Sequence, residues 1–249
     1  MTFSNRNGRP AAKTAKMLSE LSDVSPYFAV GTGPVAEDGW RPVQQLYTDT
    51  GLLDGIIGRV QARIDAPERR VAVSIFFLGL AARLWSIGVG ALVGHRLVPD
   101  LAADRLLFRE DDGQIRLHVE HPVAWQGDNL EAMLADAVLE SHLAPLTAAV
   151  HRLGPISENL LRGNAASALL GAARVFDRRH GDSTPGPGWR LARSLCTDER
   201  LTGAIVFSKS GTAYRRVSCC LYYRTPAGGL CGDCVFTNKP GTNPRKEAS

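Results

Sequence analysis

Four of the chain's five cysteines fall within sixteen consecutive residues: Cys219-Cys220, ten residues, then Cys231-Gly232-Asp233-Cys234. Thiolates this close can close a metal or cluster site, and the two candidates are a structural Zn²⁺ and a [2Fe–2S] cluster. Zinc sites usually join two spaced knuckles, each of the form C-x₂₋₄-C. Here the first pair has no spacer, and adjacent residues do not easily wrap a knuckle round one small ion. They can put two sulfurs on one iron, or one on each iron, of a two-iron rhomb. The second pair is an ordinary knuckle, in which Gly232 is expected to let the backbone turn and aim an amide N–H at a sulfur. A vicinal or C-x₂-C disulfide is a further alternative. It would leave Cys196 unpaired, and the polar N-terminus shows no apolar signal-peptide core, so a reducing, cytoplasmic location is expected. The spacing favours iron–sulfur, with Cys219, Cys220, Cys231 and Cys234 as ligands and Cys196 as an inert buried thiol.

The run Arg216-Val217-Ser218-Cys219-Cys220-Leu221-Tyr222-Tyr223-Arg224, followed by Leu230-Cys231-Gly232-Asp233-Cys234, resembles the C-terminal signature of the ferric siderophore reductases of the FhuF type. The close likeness runs from Arg215 to Cys234. Ala81-Ala82-Arg83-Leu84-Trp85-Ser86 and the stretch Leu160 to Ala168 are looser echoes. The resemblance implies a [2Fe–2S] cofactor, a ferric siderophore as substrate, and one-electron reduction of chelated Fe³⁺ to release Fe²⁺. No acid, base or nucleophile beyond the cluster is then needed, and a ferredoxin-like carrier is the expected electron donor. The alternative is a zinc or iron–sulfur sensor or interaction module without turnover.

Charge is concentrated around the cysteines. The chain carries a net +4, but residues 209–249 hold seven basic side chains against two acidic ones, a net +5, leaving −1 for the first 208 residues. A two-iron cluster on four thiolates is an anion, and nearby arginines offset its charge and raise its potential. Arg216, Tyr223 and Arg224 are therefore candidates for cluster tuning or chelate docking, with plain surface or packing roles as the alternative. A nucleic-acid patch is disfavoured, since aromatic platforms beyond Tyr222 and Tyr223 are missing and no helix-turn-helix signature is present.

These residues need elements to hold them. Apolar content of 44% is enough for a proper core. Between Val71 and Gly94 the only charge is Arg83, and apolar residues go all round, the pattern of a buried central helix. Its length also permits a membrane span, which a mid-helix arginine disfavours; peripheral membrane contact stays open. Arg83 must find a partner there, either a carboxylate or carbonyl in the body or the cluster and its anionic chelate. Further helices are expected over Ala11 to Leu21, Gly51 to Ile64, Leu130 to Leu153 (with Pro145 kinking or dividing it) and Ser157 to Phe176, where Asn164 could bridge to a loop. Asp111-Asp112-Gly113 marks a β-hairpin between Leu106–Phe108 and Ile115–Val119. His118, His121, His142 and His151 lack metal-site company. The expected fold class is α+β, mainly α: a helical body with hairpin (1–180), a Gly/Pro-rich linker from Asp177 to Gly188, a small C-terminal iron–sulfur lobe (189–240) and a disordered tail (241–249), with Met1 to about Pro10 mobile.

Overall fold

The computed structural model describes residues 7–9, 11–181 and 185–240; the expected tail lies outside them. In chain order the elements are β1 (Asn7–Arg9), α1 (Ala11–Ser22), β2 (Gly31–Thr32), β3 (Arg41–Pro42), α2 (Gln44–Thr48), α3 (Thr50–Arg63), α4 (Arg69–His95), β4 (Val98–Pro99), β5 (Leu107–Asp111), β6 (Gln114–Val119) and β7 (Ala124–Gln126). There follow α5 (Leu130–Ala135), a π-helical segment (Asp136–Leu143), α6 (Ala144–Leu153), α7 (Glu158–Arg179), α8 (Pro187–Leu195), β8 (Ile205–Phe207), β9 (Tyr214–Arg216) and a 3₁₀ turn (Tyr222–Arg224). The class is mainly α with small sheets, as expected.

Helix α4 is the axis. It packs along α7, with α3, α1 and α8 around it. By length and composition it could cross a membrane, yet 72% of its most apolar window is buried inside this fold. Trp85 is fully enclosed in the core. Arg83 takes the body's option: its Nη1 donates to the Pro26 carbonyl at 3.0 Å, and its guanidinium lies over the Tyr27 ring.

The hairpin forms as the turn residues dictate. Asp112 and Gly113 both have positive φ (48° and 72°), the pairing a tight two-residue turn requires. It is larger in context than the sequence suggests. Two-residue strands flank it, β2 parallel to β6 and β3 antiparallel to β5, making a four-stranded sheet. Asn7–Arg9, expected to be mobile, pairs with β7 in a second sheet, β1-β7-β4.

The expected division at Pro145 is real but takes an unexpected form. Pro145 has no N–H to give the preceding turn, so the helix restarts at α6, and the wider π-helical turns absorb the mismatch. That segment delivers His142 into the core. Its Nε2 faces the Leu101 carbonyl and therefore carries the proton, so Nδ1 accepts from the Tyr47 hydroxyl at 2.6 Å. The end of α7 and the start of α8 are tied together directly. Asp177, 3% exposed, accepts from the Gly188 and Trp189 amides, both at 2.8 Å, and so caps α8. Helix α8 consequently packs on the body, with Trp189 buried beneath Arg174.

Burial pushes the His142 imidazole down to about 4. The unfolded chain then binds more protons than the folded one between that value and the ordinary histidine range near 6.5. Stability is fully present above about pH 6.5 and is lost as pH falls towards 4, by on the order of 3 kcal/mol. Urea midpoints between pH 4.5 and 7 should show this slope, and His142→Gln should flatten it.

Candidate metal centre

The first cysteine pair leaves β9 through Val217 and Ser218, and the second sits in a turn closed by the Cys234 amide on the Cys231 carbonyl at 3.1 Å. The two arms are laced together. The Arg216 amide donates to the Asp233 carbonyl at 2.9 Å, and Arg215 Nε donates to the Cys234 carbonyl at 3.1 Å. Between them the ten-residue loop folds back on itself at Gly228. A Cβ there would stand 1.9 Å from the Tyr222 carbonyl oxygen, so only glycine permits the return.

All five cysteines are free. The Cys220 and Cys231 sulfurs lie 3.7 Å apart. Two thiolates sharing one tetrahedral metal at about 2.3 Å stand roughly 3.8 Å apart, so this pair already has the spacing of ligands on one ion. Three of the four sulfurs receive a backbone N–H from two residues ahead: Cys219 from Leu221 (3.3 Å), Cys234 from Phe236 (3.4 Å), and Cys220 from Tyr222. Leu221 is the residue that aims two of these amides, and its left-handed backbone (φ 67°) is unusual for a leucine. Gly232, expected to supply the turning amide, has no positive φ and open space where a Cβ would go. The left-handed residue of the site lies in the other arm, at Leu221.

Electrostatics favour charge on sulfur at Cys220. Hydrogen bonds from the Cys219 and Cys231 thiols, the Tyr222 amide and the Arg216 charge hold it well below the ordinary thiol range. Cys219 and Cys231 are pushed up, first by that hydrogen bond to Cys220 and then by burial. Cys196 is different in kind. Burial pushes its thiol up to about 12, far from these four in sequence and role.

The lobe is seated on the body by a buried polar bridge. Ser74 of α4 donates to the Cys220 carbonyl at 2.7 Å. Asn164 of α7 donates to the Ser74 carbonyl (2.9 Å) and hydroxyl (3.0 Å) and accepts from Arg216 Nη2. Ser167 of α7 donates to the Asp233 carboxylate at 2.5 Å. The seat is close because α7 carries Gly163. A Cβ there would lie 2.2 Å from Ser218 Oγ, itself bonded to the Asn159 carbonyl at 2.8 Å. Asn164 therefore bridges, though to helix α4 and to the end of strand β9 rather than to a loop, and the cysteines follow directly from that strand.

Of the remaining sequence candidates, Arg216 is brought to the site and buried. Arg224 lies at the lobe's edge, ion-paired with Glu68 at the start of α4. Tyr223 packs edge-on against Phe236, so its ring braces the second knuckle. Arg83 is not brought to the site. It lies nine residues beyond Ser74 on α4, roughly 13 Å along the axis. Ser74, Asn164, Ser167 and Asp233 escaped the sequence reading as site residues. The signal of the first three was only that small polar side chains interrupt apolar helix faces, whereas Asp233 stands inside the second knuckle.

A four-thiolate centre of this kind defines an iron–sulfur-binding segment, and the arrangement fits a cluster on two grounds. Its Cys220 and Cys231 sulfurs converge, backbone amides point at three of the four, and an arginine with orphaned N–H groups lies buried three residues before the first of these cysteines. Among the described residues, no three His, Cys, Asp or Glu side chains gather round a single ion. Residues 216–236 match the family described as FhuF 2Fe-2S C-terminal domain, and the cofactor of that segment is a [2Fe–2S] cluster. No curated protein matches the chain.

The Gly163 contact is testable. Gly163→Ala should loosen the lobe by about 1–3 kcal/mol and reduce the iron retained after gel filtration. Adding Ser218→Ala removes the clashing oxygen, leaving Arg216 Nη2 at 3.3 Å as the nearest neighbour, and should restore part of the loss. Iron and sulfide analysis should return two of each per chain. Serine at any of the four site cysteines should abolish retention, while Cys196→Ser should not.

Proposed function

We propose that the protein is a ferric-chelate reductase acting on siderophore-bound iron in the cytoplasm. The carrying observation is how the site meets solvent. Cys220 and Cys234 are buried, whereas Cys219 and Cys231 are half-exposed. Among the described residues, large exposed apolar side chains number five, and three of them, Val217, Tyr222 and Leu230, lie in the sequence around these two cysteines. An outer-sphere electron donor needs an accessible edge, not an enclosed pocket for bond-making.

The residues divide the work. Cys219, Cys220, Cys231 and Cys234 hold the cluster, and the amides of Leu221, Tyr222 and Phe236 stabilise negative charge on sulfur. When bound, the cluster supplies single electrons, and one electron converts chelated Fe³⁺ to Fe²⁺, which hard oxygen ligands hold far less tightly. Val217, Tyr222 and Leu230 offer an apolar rim on which a chelate's organic shell can rest. A hollow of about 680 Å³ beside Leu221, edged by Arg70, His151 and Leu160, is large enough to accept such a chelate. The basic balance of the closing segment suits an acidic, ferredoxin-like electron donor. FhuF-type likeness of residues 216–236 supports the substrate class.

Anaerobic reduction with dithionite followed by a ferric hydroxamate tests the reading. The visible absorption should recover while a ferrous chelator traps Fe²⁺ in step. A cluster that stays reduced in the presence of the chelate overturns it, and a colourless protein holding one zinc overturns the cofactor as well.

A further inference from the structure

Arg216 stands out among the charged side chains of the fold. It is 2% exposed, and its Nε and Nη1 are buried without any hydrogen-bond partner. Its remaining nitrogen, Nη2, donates to a neutral amide, Asn164 Oδ1. Among the described residues no carboxylate pairs with it. The ion pairs engage other arginines, and the acidic side chain between the second pair of cysteines, Asp233, takes its hydrogen bond from Ser167. An isolated buried cation costs several kcal/mol unless a countercharge and acceptors are supplied. The side chain is nevertheless held in place, with Asn164 fixed in turn by the carbonyl and hydroxyl of Ser74. The chain places it among the site cysteines: Cys219 follows three residues later, and its own amide is bonded to the carbonyl of Asp233, between Cys231 and Cys234.

We propose that Arg216 is the internal counter-ion of the cluster, offering its two free N–H groups to cluster sulfur, and that Asn164 is the positioning residue that aims it. Asn164 is suited to the task because it accepts from the guanidinium without neutralising it, so the full positive charge is spent on the cluster. An aspartate there would quench it. This inference rests on the [2Fe–2S] reading. It adds that the reduced cluster, which carries one more negative charge, is the form that Arg216 favours, so losing the charge lowers the reduction potential.

The test compares midpoint potentials and EPR g-values of the loaded wild type with Arg216→Lys, Arg216→Gln and Asn164→Asp. Arg216→Gln and Asn164→Asp should each shift the reduction equilibrium against a reference dye by roughly tenfold or more towards the oxidised form, about 59 mV for a one-electron couple. Arg216→Lys, which keeps the charge, should shift it least. Potentials within twofold of wild type in Arg216→Gln and Asn164→Asp, with iron content intact, overturn the proposal but leave the cofactor reading standing. Absence of sulfide from the anaerobic wild type defeats both. If the variants do not retain iron, thermal unfolding of the cluster-free chain decides. Arg216→Met should leave the empty protein as stable as wild type or more so, because an uncompensated charge has gone. Destabilisation of the empty protein would make Arg216 a packing residue and overturn the proposal.

Discussion

The closing segment is too short to make a fold of its own, so everything the cysteines do depends on the buried bridge beneath them. Ser74 on α4 and Asn164 on α7 meet each other, and between them they grip the Cys220 carbonyl and the Arg216 side chain. Neutral hydrogen bonds of this sort contribute only about 1 kcal/mol each, but leaving any one partner bare in the interior costs more. The bridge is therefore all-or-none in character. It holds one loop position against two helices, and neither helix can shift without unpairing the other's polar groups. Gly163 and Gly228 serve the same end by removing side chains from the two places where backbone and loop must touch.

The body exists to keep that floor rigid. Helix α4 is apolar on all sides because α1, α3, α7 and α8 enclose it. Ser74 is one of the few polar groups its length carries into the core, and it is fully buried. The buried His142–Tyr47 pair and the Asp177 cap on α8 show the same economy, each with defined partners. Arg216, two of whose buried nitrogens find no partner, departs from that pattern in the very segment that carries the site cysteines.

The cysteine spacing, the central helix and the hairpin turn were legible in the sequence because each has a strong local cause. Adjacent cysteines constrain ligand geometry, an unbroken apolar run constrains burial, and Asp-Gly constrains φ. What could not be read depended on distant partners. Strands of two residues, such as β2 and β3, have no periodicity and exist only because β6 and β5 offer them edges. The π-helical segment has the composition of any amphipathic helix. Arg83 and Arg216 were both candidates for the site, and only the fold separates the one bonded to a surface-loop carbonyl from the one enclosed beneath the cysteine segment. Glycine is the usual bearer of unusual φ, yet Gly232 has none, and the left-handed residue of the site is Leu221, beside the first pair of cysteines.

The span of the bridge sets an order of assembly. Ser74 and Cys220 are 146 positions apart, and Asn164 lies 52 before Arg216. Both halves of the receptor leave the ribosome well before the first cysteine, so α4 and α7 can pair while the ligands are still unsynthesised. The metal is then captured on a floor already laid, unlike the small zinc domains whose chains stay unstructured until the ion arrives. Loss of the cluster should on this account leave a folded scaffold competent to be refilled, making the protein's iron–sulfur content a matter of supply and repair, separate from the survival of its fold.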